Sequence, residues 1–241
     1  MNFAAEKFFP IVNVVIDPEF SVLLPERRAR RFRFRVIETA HSLRKTGVPT
    51  IWIHMGEAFS FNVYAHTLVK PSSATNLYTQ RCLDPLQQNG FSLGKNDLVF
   101  IKGHDNAFHH PLLKTILDKM GARTLLISGM NTSACVTKTL RGALANGFKC
   151  IVLTNRLADC EYPEGKRGGC SSWHEQIIRS RLRPGEFRPD AIKYMLAEDV
   201  LALCRKEMAP WLRQQKNQSI SPNKRPTTAI RRSFLPGRLS L

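Results

Sequence analysis

Six short runs of Val, Ile, Leu and Phe, each separated from the next by a longer stretch, constrain this chain more than any other feature of it. IVNVVID at 11–17, TIWIH at 50–54, LVFIK at 98–102, TLLISG at 124–129, KCIVLT at 149–154 and the weaker IKYM at 192–195 have strand length and strand composition. Because the runs are continuous rather than alternating, they predict strands covered on both faces, as in a parallel sheet. Stretches with helical spacing at 26–46, 110–120, 133–146, 171–183 and 197–208 supply the crossovers that parallel neighbours require. The expected fold is a doubly wound, Rossmann-like three-layer αβα domain with a mostly parallel sheet of about six strands.

With 241 residues, 43% of them hydrophobic, the chain can bury one α/β core with some sequence to spare. The expected division is one domain over 1–209 and a basic, disordered tail over 210–241, where Pro, Ser and Arg replace any sustained period. The polar stretch 56–97, punctuated by Pro71, Pro85, Gly90 and Gly94, reads as a lid or binding insertion. No apolar run is long enough to span a bilayer, and the N-terminus lacks the basic start and cleavage site of a secretory leader. A soluble cytoplasmic protein is expected. Six scattered cysteines fit a reducing compartment, and the ten-residue steps between Cys150, Cys160 and Cys170 are too long and too poor in His for zinc.

The net charge of +17 favours anionic partners, yet its distribution matters more than its sum. After residue 204 there are nine Lys or Arg against the single acidic Glu207, so about half of the excess lies outside the periodic pattern. In the helix that PERRARRFRFRV at 25–36 begins, Ala29, Phe32, Val36, Ile37, Ala40 and Leu43 fall on one face. The arginines then read as a solvated face, with an anion-binding patch as the alternative. No base-reading motif is recognisable.

In an open parallel sheet, ligands gather beyond the carboxyl ends of the strands. Asp17 closes the first run, Lys102 closes the third, and GMNTSACV places Cys135 at the start of the helix after the fourth. A thiol there feels the positive end of the helix dipole, and a nearby Lys would favour thiolate further. A carboxylate in reach can take the thiol proton and return it to a leaving nitrogen, while an ammonium orients that carboxylate. Taken singly, each residue has a plainer reading as a buried thiol, a turn former or a solvated strand end. Their arrival at the ends of three strands favours a site.

The stretch LLISGMNTSACVTKTLRGALANGFKCIVLTNRLAD resembles the central signature of isochorismatase-like cysteine hydrolases. VVID at 14–17 and FIKGHDNAF at 100–108 are similar to that family's first and second catalytic segments, so the resemblance covers about residues 10–208. It implies a triad of Asp17, Lys102 and Cys135, a cis peptide at Met130–Asn131, an oxyanion hole from the backbone N–H groups of Asn131 and Cys135, and substrate contacts from Phe20, Phe108 and Thr132. Three departures stand out. Glu19 and Val22 replace the family's Gln and Phe, His109-His110 replaces the usual Gly-Thr, and the Asp-Trp-His metal signature of the nicotinamidase branch is absent. His54 follows Trp52 by two positions without a carboxylate partner evident in the sequence, so no metal and no cofactor are expected. His54, His109 and His110 read as structural or lid residues.

The function expected first is hydrolysis of a small amide by a Cys-Asp-Lys triad through a thioester-type intermediate. The alternatives are an isochorismatase-type vinyl-ether hydrolase, and a non-catalytic binding module that engages an anionic partner through the basic tail. The partner expected first is a small-molecule substrate; a homo-oligomer and a non-specific anionic partner on the tail stay open, and no membrane span is expected. Deleting residues 212–241 is expected to leave the melting temperature nearly unchanged and to remove most of any salt-sensitive, sequence-indifferent polyanion binding. A titration of the truncated protein with the same affinity and salt slope would transfer that binding to the arginine-rich helix.

Overall fold

The computed structural model describes residues 10–55, 68–69, 90–160, 170–182 and 189–207. The tail over 210–241 and most of the 56–97 insertion lie outside the described residues. The strands are β1 (Ile11–Ile16), β2 (Thr50–Met55), β3 (Leu68–Val69), β4 (Leu98–Lys102), β5 (Thr124–Gly129), β6 (Lys149–Leu157) and β7 (Ile192–Met195). The helices are α1 (Glu26–Arg44), α2 (Pro111–Lys119), α3 (Thr137–Ala145), α4 (Cys170–Arg181) and α5 (197–207). All six expected strands and all five expected helices form. The one strand not expected is β3, two residues of the insertion that pair antiparallel to β4.

The sheet runs β3-β4-β2-β1-β5-β6-β7, and the six expected strands are parallel throughout. Chain order reverses direction between β1 and β5, which is where a doubly wound sheet opens its crevice. Successive strand side chains point to opposite faces, and the core divides accordingly. Val12, Val14 and Ile16 pack with Ile51, Ile53, Ile127, Leu113, Leu140 and Ile178, so α2, α3 and α4 cover one face. Val15, Trp52 and Val99 meet Phe32, Val36 and Ala40 of α1, while Ile11, Leu126 and Ile151 meet Val200 and Cys204 of α5 on the other. The predicted core face of α1 is buried, but Arg33 is buried too. It donates to Ser21 Oγ at 3.1 Å and to Glu26 at 3.3 Å, so the arginines of this helix are not all solvated.

Local chemistry starts and places these elements. Pro111 opens α2 with its preset φ, and His110 caps it by accepting from Leu112 N at 3.1 Å. The buried carboxylate of Asp97, just ahead of β4, accepts from Gly94 N, Thr50 N and the Arg44 guanidinium. That tie joins the start of β4 to β2 and to the end of α1, and so fixes how far along the sheet Lys102 is carried. In register, Ile16 lies opposite both Ile53 and Gly129, and Met55 lies opposite Lys102. The carboxyl ends of β1, β2, β4 and β5 therefore share one edge.

Gly129 makes that edge possible. Its φ of 125° is open mainly to glycine, and a Cβ there would collide with the carbonyl of Ile16. Met130 N donates to the same carbonyl at 2.8 Å. Gly129→Ala is therefore expected to cost at least about 2 kcal/mol, a fall of roughly 4 °C or more in melting temperature. Thermal denaturation followed by circular dichroism reads this directly.

Candidate active site

Asp17 follows the last residue of β1 in the left-handed conformation, φ 45° and ψ 48°, which Asp tolerates better than most residues. The turn throws its side chain across the sheet edge toward β4. There the Lys102 ammonium stands 2.8 Å from Asp17 Oδ2, and both side chains are fully buried. Lys102 Nζ also touches Met55 Sδ at 3.8 Å. Among the described residues, neither Asp17 oxygen accepts a well-aligned hydrogen bond beyond this ion contact.

Cys135 lies in a π-helical turn, Thr132–Val136, that runs into α3. The sulfur thus precedes the regular helix rather than sitting inside its first turn. The peptide bond Met130–Asn131 is cis, as the family resemblance implied. Nearly every neighbouring group holds the turn down. Thr132 N and Oγ1 donate to the Ala158 carbonyl, Ser133 N donates to Asp159 Oδ2 at 2.6 Å, and Ala134 N and Val136 N donate to the Asn131 carbonyl. Cys160 N donates to Asn131 Oδ1, and Thr137 Oγ1 donates to the Thr132 carbonyl. Buried His174 completes the clamp, its Nδ1 lying 2.8 Å from Thr132 Oγ1, and burial lowers its pKa to about 4.

The structure brings Asp17, Lys102 and Cys135 together, with Asp17 and the thiol each close enough to shift the other's pKa. It also brings in residues that the sequence reading missed. Cys135 Sγ donates to Asp105 Oδ1 at 3.3 Å, and the other oxygen of Asp105 accepts from Lys138. Asp105 belongs to the loop after β4 and Lys138 lies three residues after Cys135. The signal was the polar run beyond the strand end, but the pairing itself spans 33 positions. A second correction concerns His54. It does have a carboxylate partner, since its Nδ1 is 2.7 Å from Glu19 Oε2, and Glu19 Oε1 also accepts from Met55 N at 3.0 Å. Glu19 and His54 thereby tie the turn after Asp17 to β2.

Of the three residues implied for substrate contact, Phe20 and Phe108 are half-buried against the core. Phe108 tilts onto Phe148 with ring centroids 5.7 Å apart. Thr132 is fully buried and its hydroxyl is engaged by Ala158 and His174. His109 is exposed and stacks on His104 at 4.5 Å, while His110 caps α2.

Burial dominates the electrostatics. Desolvation raises the Asp17 pKa to about 6; Lys102 opposes the rise and the charge of Glu19 adds to it. Burial alone would lower Lys102, yet Asp17, Cys135 and Glu19 together hold its pKa above the ordinary value, so it stays charged. Burial first, and then the negative charge of Asp17, push the Cys135 thiol well up, against the pull of Lys102. This overturns the expectation of a resting thiolate. The thiol is nearly removed from water and faces two carboxylates, and these outweigh one ammonium and a helix start.

Beside the strap 157–160 lies a cavity of about 400 Å³ bordered by Arg28, Arg31 and Arg35 of α1 with Phe32, Asn155 and Leu157. Part of the arginine-rich face thus borders a concave surface rather than open solvent. Arg28 donates to the Asp159 carbonyl at 3.1 Å, which links α1 to the strap beneath the Cys135 turn.

A family model described as the isochorismatase domain matches residues 13–167. No curated protein matches the chain in sequence. Among solved structures, an isochorismatase family protein from Burkholderia thailandensis is 20% identical, with a TM-score of 0.56 over 81% of this chain and 95% of that one. A cysteine hydrolase from Pseudomonas syringae pv. phaseolicola is 14% identical, with a TM-score of 0.54 over 86% and 96%. An isochorismatase-like hydrolase from Alkaliphilus metalliredigens is 17% identical, with a TM-score of 0.52 over 80% and 96%. At these identities the structures establish a shared fold.

Removing one partner of a buried ion pair strands the other, at a cost of about 3–5 kcal/mol. Asp17 can escape by taking a proton, and its folded-state pKa, already above the unfolded value, rises further without Lys102. Stability then falls as pH rises. Lys102→Met is expected to lower the melting temperature, with a larger deficit against the wild type at pH 8 than at pH 5; an equal deficit at both would deny Asp17 this coupling.

Proposed function

This chain belongs to the isochorismatase family of hydrolases, and from that premise we propose that it cleaves a small carboxamide or related C–N bond with Cys135 as nucleophile. The observation that carries the proposal is the fully buried Asp17–Lys102 pair beside a nearly buried thiol. A carboxylate so placed is poised to exchange protons with sulfur. A helix-start thiol with no such pair would be only a small apolar residue.

The proposed reaction runs in two halves. Asp17 takes the thiol proton as the sulfur attacks the carbonyl carbon, and the carbonyl oxygen becomes an oxyanion held by the backbone N–H groups of Asn131 and Cys135. The backbone N–H groups around them, at Thr132, Ser133, Ala134 and Val136, are committed elsewhere, which supports this pair as the donors. Asp17 then protonates the leaving nitrogen, ammonia or an amine departs, and a thioester remains. Water gives a proton to Asp17 and its oxygen to the acyl carbon, and the thiol recovers its proton as the acid leaves. Lys102 keeps the buried carboxylate oriented and tempers its basicity throughout. Phe20 and Phe108 wall the site, and Thr132 acts by holding the turn.

The raised pKa of Asp17 suits both halves, because a carboxyl near pH 6 accepts and donates protons under ordinary conditions. The same observation favours one second reading: proton donation to a vinyl ether, which requires no nucleophile. Cys135→Ala separates the two, since it stops amide hydrolysis and spares a vinyl-ether reaction.

Incubation with a panel of primary carboxamides, read as ammonia release, tests the first reading. Cys135→Ala and Asp17→Asn are each expected to reduce turnover by about a thousandfold or more, with the double variant little worse than either. The rate should rise with pH through an acid limb near 6, because Asp17 must be ionised to accept the thiol proton. Near-wild-type ammonia release by either variant would refute the assignment.

A further inference from the structure

Cys135 meets two carboxylates, and the two differ in every physical respect. Asp17 and its ammonium partner Lys102 are sealed from water at the sheet edge. Asp105 and its ammonium partner Lys138 stand on the solvent side, their side chains 32% and 53% exposed. In the resting structure the thiol donates to Asp105 Oδ1. A thiol has one proton, so a bond to Asp105 is withheld from Asp17.

Asp105 is held as firmly as a designed ligand would be. Its backbone carbonyl accepts from Thr139 Oγ1 at 3.2 Å, and the same hydroxyl accepts from Ala107 N at 3.1 Å. Asn106 accepts from Phe108 N at 2.9 Å, closing the turn that carries Asp105. This loop reaches α3 only because residue 142 is glycine, since a Cβ there would strike Asn106 Oδ1 and the Phe108 side chain. Thr139, Gly142 and Lys138 all belong to α3, the helix into which the Cys135 turn leads. One rigid element therefore places both the thiol and the carboxylate that accepts its hydrogen bond.

We propose that Asp105 is a positioning residue for Cys135: backed by Lys138, it parks the resting thiol on the solvent side of the site and sets how readily the sulfur becomes a nucleophile. The inference rests on the reading of Cys135 as nucleophile. Substrate arrival turns the S–H about the Cβ–Sγ bond from Asp105 to Asp17. The charged groups acting on the sulfur are Asp17 after β1, Lys102 at the end of β4 and Asp105 in the following loop; Lys138 on α3 acts through its ion pair with Asp105, and Glu19 acts on both Asp17 and Lys102. Asp105 opposes thiolate formation, and its own pKa lies below the ordinary value because the hydrogen bonds from Lys138 and Cys135 outweigh its partial burial.

Two substitutions then act with opposite sign. Asp105→Asn keeps the shape and removes the negative charge; Lys138→Met removes the cation and leaves that charge unshielded. The probe is neutral iodoacetamide at a fixed pH of 8, with alkylation of Cys135 followed by peptide mass spectrometry on the full chain. Removing one nearby charge shifts a pKa by about one unit or more, which raises thiolate about tenfold. The lower intrinsic nucleophilicity of a more acidic thiol offsets part of this, leaving a net gain of about three- to fourfold for Asp105→Asn. Lys138→Met is expected to slow alkylation by a similar factor, and to have no effect in the Asp105→Asn background. Both substitutions moving the rate in one direction, a folded Asp105→Asn with unchanged rate, or a Lys138→Met effect that persists without the Asp105 charge would overturn the proposal. Should Asp105→Asn fail to fold, Lys138→Met alone decides, since an unchanged or faster rate contradicts it. The readout is the thiol and not turnover, so it stands apart from the carboxamide assay. Loss of the alkylation pattern defeats the Asp105 inference, and retained turnover in Cys135→Ala defeats the nucleophile reading.

Discussion

An ammonium and a carboxylate sealed from water are tolerable only together, and the local architecture follows from that requirement. Transferring either ion alone out of water costs several kcal/mol even after the protein relaxes. Lys102 and Asp17 come from strands that do not touch, with β2 between them. Their meeting therefore depends on a left-handed turn at Asp17, on the length of β4, and on the Asp97 clamp that sets where β4 begins. Glu19 and His54 brace the same turn from β2. Apolar packing alone would tolerate a shift of one of these strands; a buried charge without its partner would not.

The chemistry at sulfur is governed by the same desolvation. A helix start and a lysine are commonly invoked to explain a reactive cysteine, and both are present. Yet burial and two carboxylates prevail, so the neutral thiol is favoured and its S–H donates to Asp105. A neutral, buried thiol is protected from casual oxidation and alkylation, because the thiolate is the reactive form. In the proposed reaction, activation belongs to the encounter with substrate, when the proton passes to a carboxylate whose pKa has been lifted to about 6. On the proposed reading, two carboxylates of unlike environment around one thiol separate a resting arrangement from a reacting one.

The turn that carries Cys135 is supported from the side opposite the sheet edge. Ala158, Asp159 and Cys160 follow β6 and each bonds to the 131–133 segment, while His174 of α4 buttresses Thr132. Arg28 reaches the Asp159 carbonyl from α1, so the two helical layers are joined through the strap beneath the Cys135 turn. The arginine-rich face of α1 is consequently not a uniform solvated surface: Arg33 is internal, and Arg28, Arg31 and Arg35 border a cavity.

The sequence by itself determined the strands, the helices, the parallel character of the sheet, and the three residues at its edge, because each is written locally. Continuous apolar runs specify strands buried on both faces, and the polar residue that closes a run is the one an open sheet exposes to ligand. The family motif around Cys135 and the cis bond before it were equally legible. Only the tertiary structure decided that His54 has Glu19, that Asp105 and Lys138 join the site, and that Cys135 is protonated at rest. These contacts link residues 30 to 35 positions apart, set by strand register and loop path rather than by any local pattern. The charge state of the thiol is less local still, since desolvation, Asp17 and Asp105 act together against Lys102, and desolvation exists only once the chain has closed around the group.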